Sequence, residues 1–205
     1  MVDNFELIKP LLTFKSDDDF YFVQIIQRKK DNPDLIKGSN NNNRLIKAYY
    51  IRSIQQLDKY RDEMIGLANF FNARVGINLN KRSFYRTALN TINKMSNQML
   101  NSDFINIPKA YNSACGIHNS QEDRIWLLDV DNRDEVSSVM LEFIENECQP
   151  ISPPELFPRP HKVLAVIPSK SGFHVITKPF YTSIFSTVWK DVEIHKNNPV
   201  NMYIP

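Results

Sequence analysis

Two aspartates one residue apart close an apolar run, Ile125-Trp126-Leu127-Leu128-Asp129-Val130-Asp131-Asn132. If the run is a strand, alternation puts Asp129 and Asp131 on one face, about 7 Å apart, and Val130 on the other. Two carboxylates on one face repel each other, and packing gives no reason to place them at the end of an apolar strand. A divalent cation gives one, since Mg²⁺ or Mn²⁺ takes hard oxygen ligands and neutralises the pair. A solvated strand end running into a helix cap is the plain alternative.

A second segment suits the other half of a phosphate chemistry: Ser169-Lys170-Ser171-Gly172-Phe173-His174. Its turn offers backbone amides, two hydroxyls and a lysine, Gly172 permits close backbone approach, and His174 lies just inside the following strand. Ser169, Lys170, Ser171 and His174 together make a candidate triphosphate clamp. A third segment, Asp191-Val192-Glu193-Ile194-His195, places Asp191 and Glu193 on one face, and either completes an acidic cluster with Asp129 and Asp131.

The charge is uneven. Residues 1–119 hold 17 Lys/Arg against 11 Asp/Glu and residues 120–205 hold 8 against 12, so a net +2 divides into +6 and −4. From Met64 to Ser102 there are basic residues, Arg74, Lys81, Arg82, Arg86 and Lys94, and no acidic one. An acid-free stretch of that length suggests a surface facing phosphates, with Arg74, Lys81, Arg82 and Arg86 as candidate nucleic-acid contacts.

These groups need elements to position them. Ser16 as a cap, three aspartates and an apolar face of Phe22, Val23 and Ile26 predict a helix over Asp17–Lys30. A polar loop through Asn40–Asn43 is expected to be mobile. Arg44–Ile51 reads as a strand, and Ser53 with Gln56 as a capping box for a helix whose apolar stripe runs Ile54, Leu57, Met64, Ala68 and Phe71. Ala73–Leu79 is a further strand. Ser83 caps a helix with Ala88, Ile92, Met95 and Met99 on its apolar face, and a loop passes through Tyr111, Cys115 and Gly116. Asn132 with Glu135 caps a helix after the aspartate strand, Pro150–Pro160 is an extended connection, and Lys162–Ile167 and Phe173–Lys178 form a hairpin. Short strands fill Val192–Ile204. Strands alternating with helices and ending in hairpins give an α+β, or mixed α/β, fold.

Composition excludes other classes. The chain has 205 residues, 42% hydrophobic and 23% charged, which is an ordinary globular balance with no run of eighteen apolar residues to span a membrane. Acidic residues occupy the positions where a signal peptide needs basic ones, so a cytoplasmic protein is expected. Cys115 and Cys148 read as buried small hydrophobes rather than a disulfide scaffold or zinc ligands. With five glycines and neither GxxxxGK[ST] nor GxGxxG, P-loop and Rossmann nucleotide sites are excluded.

The order of the three segments resembles the archaeo-eukaryotic primase superfamily, the small catalytic domains of primase-polymerases, and the wording of the segments is similar to phage or mobile-element proteins of that kind. The family's pattern is a strand ending in DxD, a turn and strand with SxH, and a late strand with one carboxylate. Here it falls on Asp129/Asp131, Ser171-Gly172-Phe173-His174, and Asp191 or Glu193; the Ser-to-His spacing is one residue longer than the minimal motif. The resemblance spans roughly Arg74 to the C-terminus. It implies a primase-like sheet with packed helices and a central acidic cleft, with residues 1–72 as an N-terminal lobe and 73–205 as the catalytic core, or both as one compact domain. It further implies a metal-dependent nucleotidyltransferase. Asp129 and Asp131 would hold Mg²⁺ or Mn²⁺, His174 would contact the phosphates of a nucleoside triphosphate, a template strand would lie on the basic surface, and a helicase or other replisome protein would be a partner.

Other classes fit less well. A haloacid-dehalogenase-like phosphatase also has a strand ending in DxD but continues into Thr or Val where this chain has Arg133, and a two-histidine phosphoesterase needs a second His-x-Thr copy. The competing reading is a catalytically inactive primase-like module that binds nucleic acid or a replisome protein.

Overall fold

The segment Asp19–Arg28 sets the architecture, and it is a strand where the cap signals at Ser16 predict a helix. Phe20, Tyr21, Phe22, Val23 and Ile25 are all buried. Consecutive aromatic and β-branched residues suit a strand covered on both faces, whereas a helix would bury only one stripe of them. The aspartates serve the turns instead. Asp18 accepts from the Tyr85 amide and the Ser83 hydroxyl, and Asp19 accepts from the Lys15 and Ser16 amides.

The computed structural model describes residues 1–33, 43–117, 124–131, 138–151 and 161–205. In chain order they form β1 (Val2–Asp3), α1 (Phe5–Ile8), β2 (Asp19–Arg28), β3 (Asn43–Ile51), α2 (Ile54–Phe71), β4 (Arg74–Ile77), β5 (Arg82–Ser83), α3 (Phe84–Leu100) and α4 (Ala110–Ile117). There follow β6 (Trp126–Val130), α5 (Ser138–Asn146), β7 (Val163–Pro168), β8 (Phe173–Thr177), α6 (Thr182–Val188), β9 (Glu193–His195) and β10 (Val200–Ile204), with 3₁₀ turns at Lys9–Leu11 and Phe104–Lys109. The fold is mixed α/β with antiparallel sheets. No helix among the described residues is long and apolar enough to cross a membrane.

One sheet runs β1-β10-β4-β2-β3, with β5 paired to the start of β2, and the other runs β7-β8-β6-β9. Because β10 inserts between β1 and β4, the first sheet draws strands from both sides of residue 72, and a boundary at 72/73 would cut it. The sheets share a core in which Tyr21, Val23, Val75 and Met202 of the first cluster with Leu127, Ile167 and Ile176 of the second. Leu128, Val130 and Val175 point the other way and pack under α5 and α6 with Met140, Ile144 and Phe185.

Buried amides join the sheets. The Asn4 side chain donates to the carbonyls of Pro168 and Asn201, and Asn80 donates to those of Ile125 and Lys196 while accepting from the Ile125 amide. These bonds satisfy backbone groups where the sheets meet and fix where β6 begins.

Both long helices start at their serine caps. Ser53 accepts from the Gln56 amide and Ser83 from the Arg86 amide. The Gln56 side chain reaches the amide of Arg52 rather than that of Ser53. On α2 the expected stripe is buried at Leu57, Met64 and Ala68 and half-buried at Ile54 and Phe71, but on α3 the expected stripe is turned outward: Ala88, Ile92 and Met99 are exposed, and the buried residue is Thr87. The stretch read as a loop through Tyr111, Cys115 and Gly116 is α4. Cys115 and Cys148 are free and buried, and burial pushes the Cys115 thiol up to about 12. The Asn132/Glu135 cap, Asn40–Asn42 and most of the proline-rich stretch lie outside the described residues.

Candidate functional site

Antiparallel register aligns the chemistry. On β6, Asp129 stands opposite His174 of β8 on one side and opposite Glu193 of β9 on the other. Directly opposed residues share a face of the sheet, and Asp131, two residues on from Asp129, belongs to that face by alternation. His174 Nε2 lies 3.5 Å from Asp129 Oδ1. The imidazole is 5% exposed, and its Nδ1 has no hydrogen-bond partner. Burial pushes His174 below the ordinary histidine value, against the pull of Asp129 and Asp131 and with the push of His195 and Arg74. The shift favours the neutral imidazole.

The two candidates for a third carboxylate separate. Glu193 is in register with Asp129, but its side chain is exposed and lies 3.1 Å from His195 Nε2. Asp191 lies in the turn before β9, outside the row. Among the described residues no three His, Cys, Asp or Glu side chains form a group able to hold a metal ion.

The clamp segment is a tight hairpin turn. The Ser169 amide donates to the Gly172 carbonyl at 2.9 Å, and the Gly172 amide donates to Ser169 Oγ at 3.0 Å, so the Ser169 hydroxyl is committed to the turn. Gly172 lies flat against the end of β6; a Cβ there would sit 1.8 Å from the Val130 carbonyl oxygen. Only glycine permits that approach, which brings Ser171 Oγ to 3.5 Å from Asp131 Oδ1.

Facing this wall across a cleft of about 1200 Å³ is the end of the first sheet. Arg74 stands opposite Ile26 on the neighbouring strand, and Arg28 follows Ile26 by two residues on the same side. Arg28, Lys29, Lys30, Arg74 and Lys170 all line the cleft. Arg74 makes two bonds to Asp31, Nε to Oδ2 at 2.8 Å and an Nη to Oδ1 at 2.9 Å, and Lys170 Nζ reaches the same Oδ1 at 3.0 Å. Burial works against the Asp31 charge, but the bonds from Arg74 and Lys170 outweigh it and hold the carboxyl below its usual range. Asp31 thus pairs with two of the cations that line the cleft.

The expected basic surface does not assemble as read. Of its four residues only Arg74 lines the cleft. Lys81 is paired with Asp19 at 3.0 Å. Arg82 is fully buried; it donates to the Cys115 carbonyl at 2.8 Å and to Asn197 Oδ1 at 3.0 Å, and burial pushes it down to about 10. Its remaining Nη1 is buried without a partner, and a guanidinium so enclosed cannot meet a phosphate strand. Arg86 is exposed on α3 and does not line the cleft. Sequence reasoning missed Arg28, Lys30 and Asp31. The run Arg28-Lys29-Lys30 was a visible signal, but the helix expected over it gave these residues no common direction.

No family model, no curated protein and no solved structure matches this chain.

Proposed function

We propose that the chain is a metal-dependent nucleotidyltransferase of primase-polymerase type, acting on a nucleic-acid strand with nucleoside triphosphates. The observation that carries this reading is the juxtaposition of Asp129 and His174 on adjacent strands, with Asp131 on the same face and Lys170 in the adjoining turn, across a cleft from Arg74. Asp129 and Asp131, hard-oxygen carboxylates of one strand face, would hold Mg²⁺ or Mn²⁺, with Glu193 level with Asp129 but turned toward His195. When bound there, such ions supply activation of a 3′-hydroxyl and neutralisation of a departing pyrophosphate.

The chain's own residues do the rest. His174, neutral and buried, offers an N–H to a phosphate oxygen without adding charge. Lys170 and Arg74 exchange the Asp31 carboxylate for phosphate oxygens, so that nucleotide entry replaces one anionic partner by another. Arg28 and Lys30 present cations to the phosphates of a strand, and a helicase or other replisome protein is the partner this role implies.

A non-catalytic module that binds nucleic acid is the second reading. It is favoured by the same Asp31, which satisfies Arg74 and Lys170 internally, and by Glu193, which turns toward His195. Primer extension with Mg²⁺ and with Mn²⁺ separates the two. The enzyme extends a primed template and loses this on Asp129→Asn or Asp131→Asn, whereas the module binds strands and extends none.

A further inference from the structure

Helix α3 carries its apolar side chains on the outside. Tyr85, Leu89, Ile92, Ser96 and Met99 succeed one another at intervals of four, three, four and three residues, which is the seam of a heptad repeat. Leu89 is 45% exposed, Ile92 60% and Leu100, beside the seam, 83%. The side turned toward α4 is polar: Asn90, Lys94 and Gln98 line a groove with Ala114 and Ile117. A surface helix normally orients itself the opposite way. The exposed seam residues and Leu100 present on the order of 600 Å² of mainly apolar surface, at the upper end of the largest patch on a typical monomer. Phe104 and Ile105, in the 3₁₀ turn after α3, are exposed as well.

We propose that this face is the contact for a second copy of the chain, with α3 packed antiparallel against its two-fold mate near Ile92–Ser96. The 3.5-residue spacing asks for another helix lying along the seam, and a two-fold contact needs only one surface that is its own complement. Charge decides the direction. The charges on α3 are Arg86 and Lys94, with no acid to offset them. A parallel mate would set Arg86 against Arg86, whereas an antiparallel one separates the two by roughly 20 Å along the axis, beyond the ~8–10 Å screening length, and opposes the helix dipoles. The area is of the right order: the seam and Leu100 alone come within about a quarter of the roughly 800 Å² per partner of a stable interface. None of the seam residues lines the cleft, so the contact stands or falls independently of the catalytic reading.

Sedimentation across the micromolar range, combined with cysteine cross-linking of the full chain, tests this. Cys115 and Cys148 are buried, so a single introduced thiol reports alone. A concentration-dependent dimer is expected. Ser96→Cys should be captured as a dimer by a short bis-maleimide, while Gln55→Cys, exposed on α2, should not. Ile92→Glu should give a monomer with an unchanged circular dichroism spectrum and a Tm that no longer rises with concentration, matching the parent's at concentrations where the parent is monomeric. A monomer at every concentration without a Ser96→Cys cross-link overturns the proposal and assigns the face to another protein. A dimer that survives Ile92→Glu overturns it equally.

Discussion

The two walls of the cleft differ in how their residues are held. On the second-sheet wall, Asp129, Asp131 and His174 are placed by backbone register: a five-residue strand, a tight turn and the strand beside it determine which side chains share a face. On the first-sheet wall, Arg74 is placed by its bonds to Asp31, a residue 43 positions away, and Lys170 reaches the same carboxylate across 139 positions. One wall is fixed by backbone pairing and the other by side-chain charge pairs, and both join residues far apart in the chain. The lesson is that a wall built from register tolerates loss of charge, whereas a wall built from charge pairs does not.

The largest effect should come from the register-built wall, and in function rather than stability. Asp129→Asn and Asp131→Asn should lower extension about 100-fold or more while strand binding persists, because each keeps its shape and loses the charge that attracts cations. Unfolding midpoints of both variants should equal or exceed the parent's without metal, since a like-charge neighbour has been removed. His174→Ala should differ by raising the apparent KM for nucleotide, as a phosphate contact would. Equal losses in kcat across all three variants would erase the distinction between cation-holding and phosphate-contacting roles.

Next in size is Gly172→Ala. A methyl group placed 1.8 Å from a backbone oxygen must push the hairpin off β6, and about 2 kcal/mol or more of stability should be lost. A Tm within a degree of the parent's would show that the turn has another way to close.

Breaking the charge-built wall comes third. Asp31→Ala leaves Arg74 nearly enclosed without its partner, for a cost of about 2 kcal/mol in denaturant unfolding. The contribution also depends on pH. Because the folded carboxyl is held below its unfolded value of roughly 3.9, its stabilisation is fully present above that value and is lost as pH falls through the folded value. The gap in stability between the parent and Asp31→Asn should therefore be constant from neutral pH down to about 5 and shrink below 4. A gap that grows on acidification would contradict the pairing.

The smallest effect is expected at Lys30, exposed on the cleft rim. Lys30→Ala should weaken strand binding a few-fold and reduce the salt slope by about one, while Lys81→Ala should leave that slope unchanged because Lys81 is spent on Asp19. The comparison is best made by titrating a labelled single strand at several salt concentrations.

What was legible in the sequence follows the same division. The aspartate strand, the Ser169–Gly172 turn and the serine caps of α2 and α3 could be read because each depends on neighbours within a few residues. β2 was misread because Ser16 and three aspartates look alike whether they cap a helix or brace a turn; the continuous burial of Phe20–Val23 decides it, and burial is set by partners far along the chain. The outward stripe of α3 was misassigned for a related reason, since periodicity shows that a helix has two faces but not which one meets the body. Arg82 has the composition of a phosphate contact and the environment of a core residue, and only the positions of Cys115 and Asn197 reveal the second. Asp31 carried no local signal, because its partners come from β4 and the β7–β8 hairpin.

The central claim is that the face shared by Asp129 and Asp131 gathers divalent cations together with a nucleoside triphosphate. Titration of Mn²⁺ followed by electron paramagnetic resonance, with and without nucleotide, measures this without relying on turnover. The account predicts Mn²⁺ binding that tightens when nucleotide is added and falls at least tenfold in Asp129→Asn, with Asp31→Asn retaining it. Mn²⁺ affinity that is unaffected by nucleotide and equal in the parent and Asp129→Asn would contradict it.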